Sequence, residues 1–155
     1  MAFRKLDVDS IEEGAFAESD FLPPGVVPAY TPAEAQSIAD ACSGEVRSLV
    51  QRGNYSAALT RALESPIYGN GLDEAKATAA KTVLDVLFST KVADVPKIIE
   101  ALNTEQRELL MKYIYRGFAH PENVNCSVLL TWHEKLTEVA GQGSIVRVIT
   151  DRRTV

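Results

Sequence analysis

Several things are scarce in this 155-residue chain, and each scarcity closes off a class of function. There are two cysteines, Cys42 and Cys126, and two histidines, His120 and His133, and neither like pair is closely spaced. Zinc ligands normally come in closely spaced pairs, so a zinc site would need all four to converge from distant segments. No run approaches the roughly 20 apolar residues that a membrane-spanning helix needs. The opening MAFRKLDVDS lacks the apolar core of a secretory signal. The expectation is therefore an intracellular protein with two reduced thiols packed among apolar neighbours. On that reading the Asn-x-Ser matches at Asn54 and Asn125 are accidents of composition.

Catalytic patterns are also lacking. His133 and Glu134 are sequence neighbours, and adjacent side chains on a helix diverge, so they form no acid–base pair. Thr137 stands where a zinc-binding HExxH would need its second histidine. Gly141-Gln142-Gly143-Ser144 lacks the second half of a dinucleotide fingerprint and the lysine of a phosphate loop. It reads as the end of one helix and the start of another. No nucleophile-elbow or calcium-loop pattern occurs. The expectation is a protein that is not an enzyme and needs no cofactor.

A net charge of −5 argues against a nucleic-acid or anionic-lipid platform. Met111, Tyr113 and Tyr115 beside Lys112 and Arg116 offer an aromatic and basic mix, but without the strand motifs of RNA-binding domains. Most of the charge lies in residues 1–30, with two basic side chains against six acidic ones. That stretch has few periodic apolar positions and is broken by Pro23-Pro24-Gly25 and Pro28. It reads as an extended arm that orders on a partner, or as a solvated tail.

From Thr31 onward the pattern is helical. Thr31-Pro32-Ala33-Glu34 has the cap, the proline and the glutamate of a helix start. Ala35, Ile38, Ala39, Cys42, Val46, Leu49 and Val50 follow at three-and-four spacing. Gly53 ends that helix, Asn54 caps the next, and Pro66 stops it. Further helices are expected from about Asp73 to Ser89, from Asp94 through Leu102, from Thr104 to a stop at Gly117, and from about Asn125 to Ala140. Residues 144–150 read either as a strand, from their β-branched alternation, or as a short helix capped by Ser144. The helix is preferred because no other segment offers a strand partner. The fold class is all-α: a single helical domain of about seven helices over 31–155, preceded by the arm over 1–30. A bundle and a superhelix of helix pairs both satisfy the pattern.

Trp132 sits at helical spacing with Leu129 and Leu136. It reads as core, with an interface anchor as the alternative. Arg147, Arg152 and Arg153, opposed by Asp151, read either as a fraying solvated tail or as a basic contact for an acidic partner.

Three late motifs carry a resemblance: LLMKYIYRGF at 109–118, LLTWHEKL at 129–136 and GSIVRVITDRRTV at 143–155. Together with FRKLDVD near the start and GNYSAALTRAL at 53–63, they make the chain resemble the smallest-subunit family of the actin-related protein 2/3 complex. The likeness runs end to end and is weakest over 12–45 and 66–73. It implies an α–α superhelix without catalytic activity, in a multi-subunit cytoplasmic assembly of cortical actin structures that nucleates branched filaments. It implies docking of the helical body on a scaffold subunit near a β-propeller subunit. It further implies an N-terminal arm that tethers an actin-related subunit. By matching position, Phe3, Arg4, Lys5, Leu6, Asp7 and Asp9 would form the arm's contact motif. Trp132, His133, Arg147, Arg152 and Arg153 would belong to the body and its partner-binding face. The competing reading from another class is a free-standing helical adaptor that binds short peptides between helix pairs.

Overall fold

The computed structural model describes residues 30–155. Helix α1 (Pro32–Gln51) begins where its local signals place it. The Thr31 hydroxyl accepts from the Glu34 N–H at 3.4 Å, and the Glu34 carboxylate accepts from the Thr31 N–H at 2.9 Å. These bonds satisfy two groups that a helix start otherwise leaves open. Gly53 follows the helix at φ 75°, a left-handed conformation that glycine adopts at no steric cost. The Asn54 side chain then caps α2 (Tyr55–Leu63) by accepting from the Ala57 N–H.

Helix α3 (Asp73–Ser89) is followed by a 3-10 turn (Val92–Asp94) and the short α4 (Val95–Ala101). Helix α5 (Thr104–Ala119) starts at Thr104 as expected and is capped by Asn103, in a reciprocal box with Gln106. A second 3-10 turn (Pro121–Asn123) leads to α6 (Cys126–Ala140), capped by Asn125. Gly141, at φ 73°, ends α6 and starts α7 (Gln142–Thr150). The described residues are thus all-α, with 144–150 helical rather than a strand.

Two local expectations need correction. Gly117 does not end α5, which runs on to Ala119. It is buried there, and a β-carbon on it would lie 2.7 Å from Leu129 Cδ1 and 3.4 Å from Leu84 Cδ2. It is a close-approach glycine that lets α6 press against α5. Ser144 does not cap α7. It lies inside the helix, fully buried, with its hydroxyl donating to the Gly141 carbonyl at 2.7 Å.

Helix α3 holds the body together. It packs on α1 and α2 on one side and on α5 and α6 on the other, while α7 lies against α5 and α6. The main core gathers Leu59, Leu87, Ile99, Leu110, Tyr113, Ile114 and Trp132. Burying side chains of this size stabilises by about 1.5–3 kcal/mol each before entropy is counted. A smaller core of Ala35, Ala39, Ile67, Leu72 and Ala75 seats the first half of α1 on the start of α3. Cys42 and Cys126 are free thiols and only half-buried, and Cys42 packs against the edge of the main core.

Candidate interaction surface

The C-terminal residues are clasped, which overturns the fraying-tail alternative. Val155 is buried, and its main-chain oxygen accepts a hydrogen bond from the Arg116 guanidinium. Lys76 Nζ donates to Thr154 Oγ1 at 3.0 Å. Lys112 Nζ meets the Asp151 carboxylate at 2.6 Å and donates to the Arg153 carbonyl at 3.3 Å. Arg153 pairs with Asp151 at 3.1 Å. The Tyr68 ring lies under both cations, with Lys112 and Arg153 at 5.2 and 5.3 Å from its centroid.

Asp151 is the hinge of this clasp. Burial pushes its carboxyl upward, but hydrogen bonds from Arg153 and Lys112 outweigh that and hold it well below the usual range. Burial also raises the Tyr68 phenol, against the pull of Arg153. Lys76 shifts the other way: burial lowers it, while Asp73 works in the opposite direction.

The sequence-predicted residues separate into distinct places. Arg147 pairs with Glu108 of α5 at 2.6 Å. Arg147 and Arg153 share the wall of a cleft of about 700 Å³ floored by Leu63, Leu109 and Val148. Arg152 is exposed, and among the described residues no ion pair engages it. Trp132 is 1 % exposed and donates to the Leu87 carbonyl, so it is core and not an interface anchor. His133 is half-buried, 3.4 Å from the Tyr115 hydroxyl and beside Phe118, where it helps join α6 to α5. Phe3, Arg4, Lys5, Leu6, Asp7 and Asp9 lie outside the described residues.

Sequence reasoning missed Lys76, Lys112 and Arg116 as parts of the clasp. A signal existed for Lys76: it continues the inward row Ala80, Val83 and Leu87 at helical spacing. It also missed the apolar flank of α7. Ile145 and Val148 pack on the core, but Val146 and Ile149 remain 58 % and 69 % exposed. They are neighbours three residues apart, beside Arg147. A helix apolar on both its inner face and its flank suits a surface that a second protein covers.

No helix among the described residues is long and apolar enough to cross a membrane. No group of three metal-ligating side chains occurs among them either.

The family model described as the ARP2/3 complex 16 kDa subunit (p16-Arc) matches residues 2–155. The chain is 40 % identical over 153 residues to actin-related protein 2/3 complex subunit 5-C of Xenopus laevis, covering 99 % of this chain and 94 % of the relative. It is 34 % identical over 153 residues to the human subunit 5-like protein, with the same coverage. It is 31 % identical over 156 residues to subunit 5 of Saccharomyces cerevisiae, covering 99 % and 97 %. With the match extending over the helices, the clasped C-terminal residues and almost all of the acidic N-terminal stretch, the chain belongs to the ARP2/3 complex 16 kDa subunit family.

Proposed function

We propose that this protein is a non-catalytic structural subunit of an actin-related protein 2/3 complex, the assembly that nucleates branched actin filaments at the cell cortex. Its helical body docks on scaffold subunits, near the β-propeller subunit, and its N-terminal arm tethers an actin-related subunit. The observation that carries this reading is the extent of the family match, which takes in the arm as well as the body. The exposed Val146–Ile149 flank, and Arg152, which no ion pair among the described residues engages, support docking through the last helix and the residues after it.

Division of labour between a docked body and an arm makes physical sense. A segment that orders on binding loses conformational entropy and holds weakly for its area. Once the body is docked, the arm's attachment is intramolecular, at an effective concentration that can reach the millimolar range. Such a tether keeps a mobile subunit near its working position while allowing it to move.

Deleting residues 1–30 tests this. The truncated chain should still join the complex, and branch nucleation assayed with fluorescent actin should fall. Unchanged nucleation would refute the tether. A chain that elutes alone at the size of its own 16.9 kDa, with no actin-related protein co-purifying, would refute the subunit role and favour a free adaptor.

A further inference from the structure

Helix α7 buries few of its side chains. Ser144 is the only buried residue of its nine, while Ile145 and Val148 are partly buried against the core. A helix this short is not stable alone in water, so contacts with the body hold it in place. Its link to α6 has the form of a hinge. Gly141 sits at φ 73°, and a β-carbon there would meet nothing within 4 Å. Gly143 stands two residues on, in the first turn of α7, so Gln142 lies between two residues of high backbone freedom.

What holds α7 beyond those two apolar contacts is charge. Glu108, Lys112 and Arg116 stand four residues apart on α5 and form one row along that helix. Arg147, Asp151 and Val155 follow one another at the same spacing, and each meets its counterpart. Arg147 pairs with Glu108 at 2.6 Å, and Asp151 with Lys112 at 2.6 Å. Arg116 donates to the main-chain oxygen of Val155, the chain's terminal carboxylate. The row on α5 reads negative, positive, positive, and the row facing it reads positive, negative, negative. Sliding α7 by one turn sets like charges together: Arg147 against Lys112 in one direction, Asp151 against Glu108 in the other. The ladder therefore admits one register. Arg153 adds a second cation to Asp151, and Lys76 of α3 bonds Thr154, so the far end is held most firmly.

We propose that α7 and residues 151–155 form a flap that turns about Gly141 and opens independently of the rest of the body, with the three-rung charge ladder to α5 as its latch. Closed, the flap displays Val146 and Ile149 in one fixed orientation. Open, it withdraws them and uncovers the cleft floored by Leu63 and Leu109. Opening of this kind needs less free energy than unfolding the core, because few apolar side chains leave their seats. Arg147 and Glu108 are more open to water than Lys112 and Asp151, so salt weakens the first rung before the second. The opening is a property of the chain by itself and does not rest on the docking reading.

Amide hydrogen exchange on the full chain, resolved by residue with NMR, tests this. The amides of residues 146–151 close the turns of α7, the last of them by the bond from the Asp151 N–H to the Arg147 carbonyl. They should exchange much faster than those of Val83, Val86 and Leu87 in α3, which report unfolding of the whole body. Raising salt from about 50 mM to about 0.5 M should speed α7 exchange several-fold and leave the α3 amides nearly unchanged. Glu108→Arg and Arg147→Glu should each speed α7 exchange several-fold at the lower salt, and the two together should restore most of the protection. The α3 amides in the same samples show that each variant is folded. A flap that exchanges at the α3 rate would overturn the proposal. So would α7 rates indifferent to salt, or a double variant no better protected than the single ones.

Discussion

The indole N–H of Trp132 donates to the main-chain oxygen of Leu87 at 3.3 Å. Leu87 lies in the last turn of α3, where a helix leaves four carbonyls without partners of its own. The only tryptophan in the chain therefore fills the core from α6 and closes the end of the central helix at once.

Replacing it tests both roles. Trp132→Phe keeps an aromatic ring but leaves the Leu87 oxygen buried and unpaired, and opens a small cavity. We expect a loss of about 2–4 kcal/mol in denaturant unfolding. A loss near zero would mean that water reaches the carbonyl and that the core relaxes to fill the space.

Gly117 tests the approach of α5 and α6. Gly117→Ala raises helix propensity by about 1 kcal/mol. Its methyl group would press on Leu129, which is fully buried, and overpacking of this kind costs about 1–3 kcal/mol. The variant should be less stable by about 1 kcal/mol in chemical denaturation. A gain in stability would show that Leu129 swings aside freely.

The start of α5 distinguishes the cap residue from the first helical residue after it. Asn103 Oδ1 accepts from the Gln106 N–H at 2.8 Å. Asn103→Ala should cost about 1 kcal/mol, whereas Thr104→Ala, at the exposed first helical position, should be neutral or stabilise by a few tenths. The reverse order in urea unfolding would move the cap by one residue.

Asp151 makes the clasp pH-dependent. Its folded-state pKa lies below the ordinary value of 3.8, so the unfolded chain binds its proton first as pH falls. The stabilisation is fully present above about pH 4 and is lost progressively below it. Asp151→Asn should lower the melting temperature at pH 7 and flatten the fall below pH 4. If wild type and variant melt in parallel across that range, the clasp carries no stability.

The flank of α7 separates folding from assembly. Ile149 is 69 % exposed, so Ile149→Asp should change stability by less than about 0.5 kcal/mol. On the docking reading it should sharply reduce incorporation into the complex, measured by co-purification. Normal incorporation would remove this flank from the interface.

Local rules carried far in the sequence because helix ends are decided by groups a few residues apart. Thr31 with Glu34, Gly53 with Asn54, and Gly141 each act within one turn, so their roles could be read without the fold. The stripes that built α1, α3 and α6 were legible for the same reason: a 3.6-residue period marks the buried face wherever the partner lies. The choice between strand and helix for 144–150 was harder, because its β-branched residues suit both. Packing of Ile145 and Val148 on the core, with α7 seated against α5 and α6, is the tertiary context that accompanies the helix.

What the sequence determined by itself was an all-helical body from about Thr31, an acidic stretch before it, and a family resemblance borne by its late motifs. The fold decided that Gly117 is a contact point and not a terminator, since only the approach of Leu129 gives it that role. It decided that Trp132 faces inward, that Arg147 and Arg153 already have carboxylate partners, and that Lys76 reaches Thr154. These are relations between residues up to 78 positions apart in the chain. Charge and hydrogen-bonding capacity belong to a residue, but whether they are spent inside the protein or left for a partner depends on which distant groups packing brings within about 3 Å.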